Sequence, residues 1–315
     1  WELSTLLKSW SLVSYKIQSL RDNPSTAEQE YLYDVNTHRL GLNTNVDFKV
    51  PKKMKRRQKK PRIAILRDQG VNGQVEMAAA FDSAGFKCID LHMTDLINRK
   101  RNLNEFRGLV ACGGFSYGDV LGGGGGWAKS ILFNRNLKKD FEEFFSREDI
   151  FALGVCNGCQ MIANLSDLII GSEGWPKFEK NISEKFESRY ILTKIKESSS
   201  IFFRDMKDSV IAIPVAHGEG RISSTNEHAI NLIGRNLVPL VYVDDKGIET
   251  ESYPQNPNGS SQGIAGVTNK SGNVTILMPH PERAFLMAQN SWQTKDKNKY
   301  GPWIKFFRNA RDFID

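Results

Sequence analysis

The chain has 315 residues, 40% of them hydrophobic and 25% charged, with a formal net charge of +7. This composition is that of a folded protein with room for one large or two modest domains, and no apolar run approaches the roughly 20 residues of a membrane-spanning helix. The positive charge is local: eight Lys or Arg fall between Pro51 and Arg62 with no acid among them, and removing them from +7 leaves −1. The cluster therefore reads as a solvated linker, and no nucleic-acid partner is expected.

Residues 1 to 21 place Leu3, Leu6, Leu7, Trp10, Val13, Ile17 and Leu20 at helical spacing, and Asp22-Asn23-Pro24 ends that helix. A second short helix is expected over residues 25 to 33, and a linker from Leu40 through the basic cluster. These first 60 residues are too few for a core of their own, so they should pack on another part of the protein. The chain begins at Trp1 and carries no signal peptide, which is expected of a segment of a longer polypeptide.

From Pro61 the pattern becomes strand and helix in alternation. Strands are expected at 62–66, 87–91, 108–112 and 151–155. Helices are expected at 73–84, closed by Gly85, and at 127–145, with a break near Asn134 to Asn136. Such alternation implies an α/β fold with a mostly parallel central sheet and helices on both faces. Sites then gather at the carboxyl ends of the strands. Past residue 170 the pattern turns to strands, at 190–195, 210–215, 238–243, 263–268 and 274–277. These either extend the sheet or form a smaller antiparallel one. A helix over 303–313 closes the chain.

Four cysteines (Cys88, Cys112, Cys156 and Cys159), three in apolar strand-like surroundings, point to a reducing compartment, the cytoplasm, and to no disulfide framework. One of them stands apart. In Gly154-Val155-Cys156-Asn157-Gly158, Cys156 sits between an apolar strand and a helix-compatible run, with glycine two residues before and two after. This is the sulfur version of a nucleophile elbow. The turn lifts the side chain above the sheet, and the helix N-terminus behind it favours negative charge. The Asn157 N–H lies where an oxyanion would form. Two other readings remain open on these residues: a buried inert thiol, and a redox or metal pair with Cys159.

Two further stretches bear on the choice. The glycine-rich loop from Gly113 to Gly126 lacks the spacing of either common phosphate-binding fingerprint, and suits an oxyanion better. Pro279-His280-Pro281-Glu282 fixes an imidazole and a carboxylate two residues apart between prolines. A nucleophilic thiol needs a base, and the base needs an orienting acid. Of the five histidines (His38, His92, His217, His228 and His280), His280 has an acid rigidly placed beside it.

Together the elbow and the Pro-His-Pro-Glu turn resemble the triad-type, class I glutamine amidotransferases, whose sheet is flavodoxin-like. More narrowly, the chain resembles the glutaminase part of the large single-chain formylglycinamidine synthases. The resemblance runs through Arg67 to Asn72, Val75 to Phe81, Ala111 to Leu121, Trp127 to Phe133, the elbow, Ala216 to Arg221, Tyr253 to Gly259 and Met278 to Arg283. It covers essentially all of residues 61–315, with residues 1–60 as a helical tail of a preceding synthetase region plus the basic linker. What it implies is a Cys156–His280–Glu282 triad that hydrolyses L-glutamine. Gly114 and Asn157 match backbone oxyanion positions, Gln160 a side chain that holds the substrate, and Phe115, His217 and Glu219 neighbouring site segments. It implies a synthetase domain of the same longer chain as partner, with ATP and Mg²⁺ bound there and no cofactor in these residues. One departure stands out: the family pattern is nearer Gly-Ala-Gly-Glu-Gly where this chain has five glycines, Gly122 to Gly126.

Overall fold

Apolar runs bounded by Gly, Pro or polar residues form the strands. The computed structural model describes residues 1–50, 59–291 and 298–315, so most of the basic cluster lies outside the described residues. The strands are β1 (Arg62–Arg67), β2 (Lys87–His92), β3 (Gly108–Ala111), β4 (Phe151–Val155), β5 (Lys177–Glu179), β6 (Glu187–Ile195), β7 (Val210–His217), β8 (Arg221–Ser223), β9 (Leu240–Val243), β10 (Ile264–Thr268) and β11 (Val274–Leu277). The helices are α1 (Leu3–Arg21), α2 (Pro24–Asp34), α3 (Gln74–Ser83), α4 (Met93–Ile97), α5 (Gly125–Leu132), α6 (Arg135–Phe145), α7 (Asn157–Ala163), α8 (Asn226–Gly234) and α9 (Ile304–Ile314). The expected break near Asn134 is a helix start: the Asn134 side chain accepts from the N–H groups of Asn136 and Leu137. Among the described residues no helix is long and apolar enough to cross a membrane.

Among the described residues nine strands make one sheet in the order β2-β1-β3-β4-β11-β10-β9-β6-β7, and β5 and β8 pair separately. The pairings from β2 to β11 are parallel and those from β11 to β7 antiparallel. Following these directions, all strands of the large sheet except β10 and β6 run the same way. The late strands thus extend the main sheet. As a result β1, β3, β4, β11 and β7 all end on one side, where the loops of interest begin.

Alternation along β4 assigns the two faces. Phe151 points to one side, stacked 5.8 Å from Phe81 of α3 and edge-on, 5.5 Å, to Phe202. That aromatic layer continues to α9, with Phe81 to Phe307 at 5.0 Å and Phe202 to Phe306 at 4.8 Å. Each such fully buried ring contributes about 1.5–3 kcal/mol. Gly154 faces the other side, where a Cβ would lie 2.7 Å from the Gly158 carbonyl oxygen of α7. The small residue lets that helix sit directly on the strand.

The antiparallel half folds back over the carboxyl ends. Three strands separate β7 from β11 in the sheet order. Even so, the Pro214 carbonyl of β7 accepts from the His280 N–H at 2.9 Å. A register shift between Ile264 and Gly266 interrupts the β9–β10 ladder, the kind of irregularity that bends a sheet.

The segment expected as a linker from Leu40 is partly engaged. Asn45 and Val210 exchange backbone hydrogen bonds of 2.9 and 2.7 Å, so it pairs with the start of the edge strand β7. An edge strand has unpaired backbone groups, and this pairing satisfies two of them. Val46, Phe48 and Val50 then pack on the core. α1 buries no residue, and Leu3, Leu6, Trp10, Val13, Ile17 and Leu20 are exposed on it.

Candidate active site

β4 ends at Val155 and α7 begins at Asn157, which leaves one residue to make the turn. Cys156 makes it at φ 55°, ψ −112°, a conformation that costs a side-chain-bearing residue about 1–3 kcal/mol. Its N–H donates to the Leu277 carbonyl at 3.0 Å, which pins the turn to β11. A Cβ on Gly158 would lie 2.1 Å from the Ala111 oxygen, so glycine is needed for α7 to approach β3. The Cys156 thiol donates to the Ala216 carbonyl at 3.5 Å, and the residue is 6% exposed. Cys159 is fully enclosed on the inner side of α7, and burial, with Cys156 adding to it, pushes its thiol well above the ordinary range. Burial does the same to Cys112 and raises Cys88 to about 12. These three are poor candidates for a thiolate. Among the described residues no group of three or more His, Cys, Asp or Glu could hold a metal ion.

β11 delivers the second element. In the turn after it, His280 Nδ1 lies 2.6 Å from Glu282 Oε1, with the two side chains 1% and 0% exposed. Burial alone would lower the imidazole's pKa. The Glu282 charge, then Cys156, overcome this and raise it to about 9. His280 Nε2 is buried and makes no hydrogen bond of ordinary geometry. The Cys156 side chain is its neighbour: a Cβ built on Gly113 would sit 2.9 Å from His280 Cε1 and 3.3 Å from Cys156 Cβ. The structure thus brings Cys156, His280 and Glu282 together.

The loop after β3 supplies backbone donors. Gly114 has φ +146° and is clamped against Val71, and a Cβ there would lie 2.6 Å from the Gly70 oxygen. The Phe115 N–H is spent on the Gly70 carbonyl at 2.9 Å. Among the described residues the N–H groups of Gly114 and Asn157 have no acceptor, as an oxyanion hole requires. The Asn157 side chain, which the sequence did not single out, fixes this loop to α7. Its oxygen accepts from Ser116 N–H at 3.2 Å and its nitrogen donates to Asp119 Oδ1 at 2.8 Å. Burial raises the Asp119 carboxyl. Phe115 is half exposed and its ring packs 5.9 Å from Phe186.

The end of β7 lies against Cys156. It offers the Ala216 carbonyl to the thiol and holds His217 buried with both ring nitrogens unpartnered. Burial first, and then the charge of His280, depress His217 to about 3, so it is neutral at physiological pH. Glu219 Oε2 accepts from the Gly123 N–H at 2.7 Å, and the Glu219 carbonyl accepts from Gln160 Nε2. Gln160 is thereby engaged within the protein.

A model of the CobB/CobQ-like glutamine amidotransferase domain matches residues 60–314. The chain belongs to that family. Among solved structures, PurLQS from Thermotoga maritima superposes with a TM-score of 0.60 at 24% identity, over 82% of this chain and 100% of that one. The glutaminase domain of CTPS from Trypanosoma brucei, with bound acivicin, gives a TM-score of 0.48 at 15% identity, over 80% and 94% of the two chains. At such identities the likeness to PurLQS is one of fold.

In this amidotransferase domain the five-glycine departure has a local consequence. A Cβ at Gly123 would fall 2.3 Å from Gln160 Nε2, whereas one at Gly125 would meet nothing nearer than 3.8 Å. The missing side chain at 123 is what lets Gln160 fold in against Glu219. A cavity of about 240 Å³ is lined by Val46, Tyr190 and Trp303 among others, and neither Cys156 nor His280 is part of its lining. A cleft of about 250 Å³ is lined by the glycine loop, Gln160, Glu219 and two lysines, Lys129 and Lys177.

Proposed function

We propose that this amidotransferase domain hydrolyses L-glutamine to glutamate and ammonia through Cys156, His280 and Glu282. The observation that carries this is the buried His280–Glu282 pair, which lies beside a cysteine held in a strained turn. The Cys156 thiolate attacks the carboxamide carbon, forming a C–S bond. The oxyanion rests on the N–H groups of Gly114 and Asn157. The imidazolium of His280 gives its proton to the nitrogen as the C–N bond breaks, and ammonia leaves. Water, deprotonated by His280, then attacks the glutamyl thioester. The C–S bond breaks, glutamate departs, and thiolate and imidazolium are restored. Glu282 stabilises the positive ring throughout and keeps Nε2 pointed at the sulfur. Gln160, Phe115, His217 and Glu219 line the substrate side.

The ammonia is delivered to a synthetase domain of the same longer polypeptide in the cytoplasm. There ATP and Mg²⁺ drive formylglycinamide ribonucleotide to the amidine. The ordered motifs of residues 61–315 support this acceptor, and the fold of PurLQS agrees with it. In the full enzyme, Cys156→Ala should abolish glutamine-dependent amidine formation while added ammonia still supports it, and Cys159→Ala should keep most activity. Swapping acceptors in the coupled assay separates this synthetase from another. A reversible disulfide between Cys156 and Cys159 with no glutaminase activity would instead favour a thiol sensor, which the enclosed, thiolate-disfavouring site of Cys159 opposes.

A further inference from the structure

Two asparagines hold the turn after β7 from outside the sheet: Asn258 Nδ2 donates to the Gly220 carbonyl at 2.8 Å, and Asn181 makes the larger share. The Asn181 N–H donates to the Gly218 carbonyl at 2.9 Å, its Nδ2 to the His217 carbonyl at 2.7 Å, and its Oδ1 accepts from the Gly220 N–H at 2.9 Å. Every bond to the turn is to its backbone, so Asn181 fixes the path of residues 217–220 whatever their side chains do. Asn181 is 2% exposed, and its Nδ2 also donates to the Lys185 carbonyl at 3.1 Å, closing its own loop. That loop touches the oxyanion side as well, through Phe186 on Phe115.

The same loop is tied to the N-terminal helices. Lys185 Nζ lies 3.2 Å from Glu30 of α2, and Arg189 bridges Glu30 at 2.8 Å and Glu187 at 2.8 Å. Glu187, 1% exposed, accepts from Ser183 Oγ at 2.5 Å and from the Tyr253 hydroxyl at 3.0 Å. Gln29 accepts from the Tyr253 N–H at 3.0 Å. Glu30 thus bonds Lys185 in the loop and Arg189 on β6, and α2 lies outside the residues that match the amidotransferase family.

We infer that Asn181 is a positioning residue of the turn that follows β7 beside Cys156, and that Glu30 on α2 keeps Asn181's loop seated, so that the N-terminal helical segment takes part in shaping the glutamine pocket. This rests on the reading of Cys156 as a glutaminase nucleophile. With Asn181 in place the turn presents Glu219 to Gln160 and Gly123 and lies beside the thiol. When the clamp is weakened, the turn samples open positions, the thiol becomes accessible, and the substrate side loses its shape.

The test is alkylation of the whole protein by iodoacetamide, followed residue by residue by peptide mapping, beside steady-state glutaminase kinetics. Asn181→Ala should speed labelling of Cys156 about fivefold and Glu30→Gln about twofold to threefold, while Cys159 stays unlabelled. KM for glutamine should rise by similar factors with kcat changed less. Glu28→Gln, on the exposed side of α2, should match the wild type. Should Asn181→Ala fail to fold, Glu30→Gln decides alone. Wild-type labelling and KM in Glu30→Gln would overturn the inference. So would labelling of Cys159 in step with Cys156, since that reports general loosening. A chain with no glutaminase activity would defeat the functional reading, and the labelling arm would still report the hold on the turn.

Discussion

Glu282 reaches back across Pro281 to set its Oε1 2.6 Å from His280 Nδ1, with both side chains closed off from solvent. The proline limits the backbone between them, so the acid meets the ring without help from a distant element. Burial works against a charged ring here. The carboxylate outweighs it, and the ring's proton is held to about pH 9.

Removing that charge should be costly in two ways. Glu282→Gln keeps the shape and loses the carboxylate, so kcat should drop by about 10²–10⁴. The alkaline limb of the pH–rate profile, expected near 9 in the wild type, should move toward the ordinary histidine range of 6.5. Steady-state rates between pH 6 and 10 test both.

The same pair has a signature in stability. The folded pKa of His280 is raised from 6.5 to about 9. Its contribution is therefore fully present below 6.5 and lost as pH rises through about 9. The stability difference between wild type and Glu282→Gln should be largest below pH 6.5 and shrink steadily above it, as read by denaturant unfolding at a series of pH values.

Gly158 has no room for a methyl group, because the nearest atom is a backbone oxygen of β3. Gly158→Ala must move α7 or β3. It should cost about 1–3 kcal/mol by thermal or denaturant unfolding, and it should also lower kcat by shifting the elbow.

In the proposed function Gln160 holds the substrate, and its side chain is 5% exposed with its Nε2 on the Glu219 carbonyl. Gln160→Ala should raise KM for glutamine about tenfold, with a smaller change in kcat, because a binding contact is lost rather than the chemistry. Steady-state kinetics with glutamine as the varied substrate check this.

Much of this architecture was legible because local patterns carry it. The strands of the parallel half are short apolar runs, and β7 alternates buried and half-buried residues because one face packs on the core. The elbow and the Pro-His-Pro-Glu turn are contiguous, so their chemistry shows in the residue order. What stayed hidden depends on distant partners. No local signal says that β7 curls back to His280, or that Asn45 pairs with Val210. Asn181 bonds backbone groups of its own loop and of a turn far along the chain, so its residue type alone announces nothing. α8 carries a start signal, with Thr225 accepting from the His228 N–H, and Ala229, Leu232 and Ile233 at helical spacing, but at nine residues it is short and lies in a stretch whose pattern reads as strands. Asn157 was read for its N–H, and its side chain proves to be the link between α7 and the loop after β3.

The most direct measurement is acid quenching during glutamine turnover, followed by mass analysis of the peptide that spans residues 151–163. A glutamyl group on Cys156, absent in Cys156→Ala and accumulating in a variant slowed at the water step, is the predicted result. Sustained glutamine hydrolysis by Cys156→Ala, or a glutamyl group carried by Cys159 instead, would contradict the account.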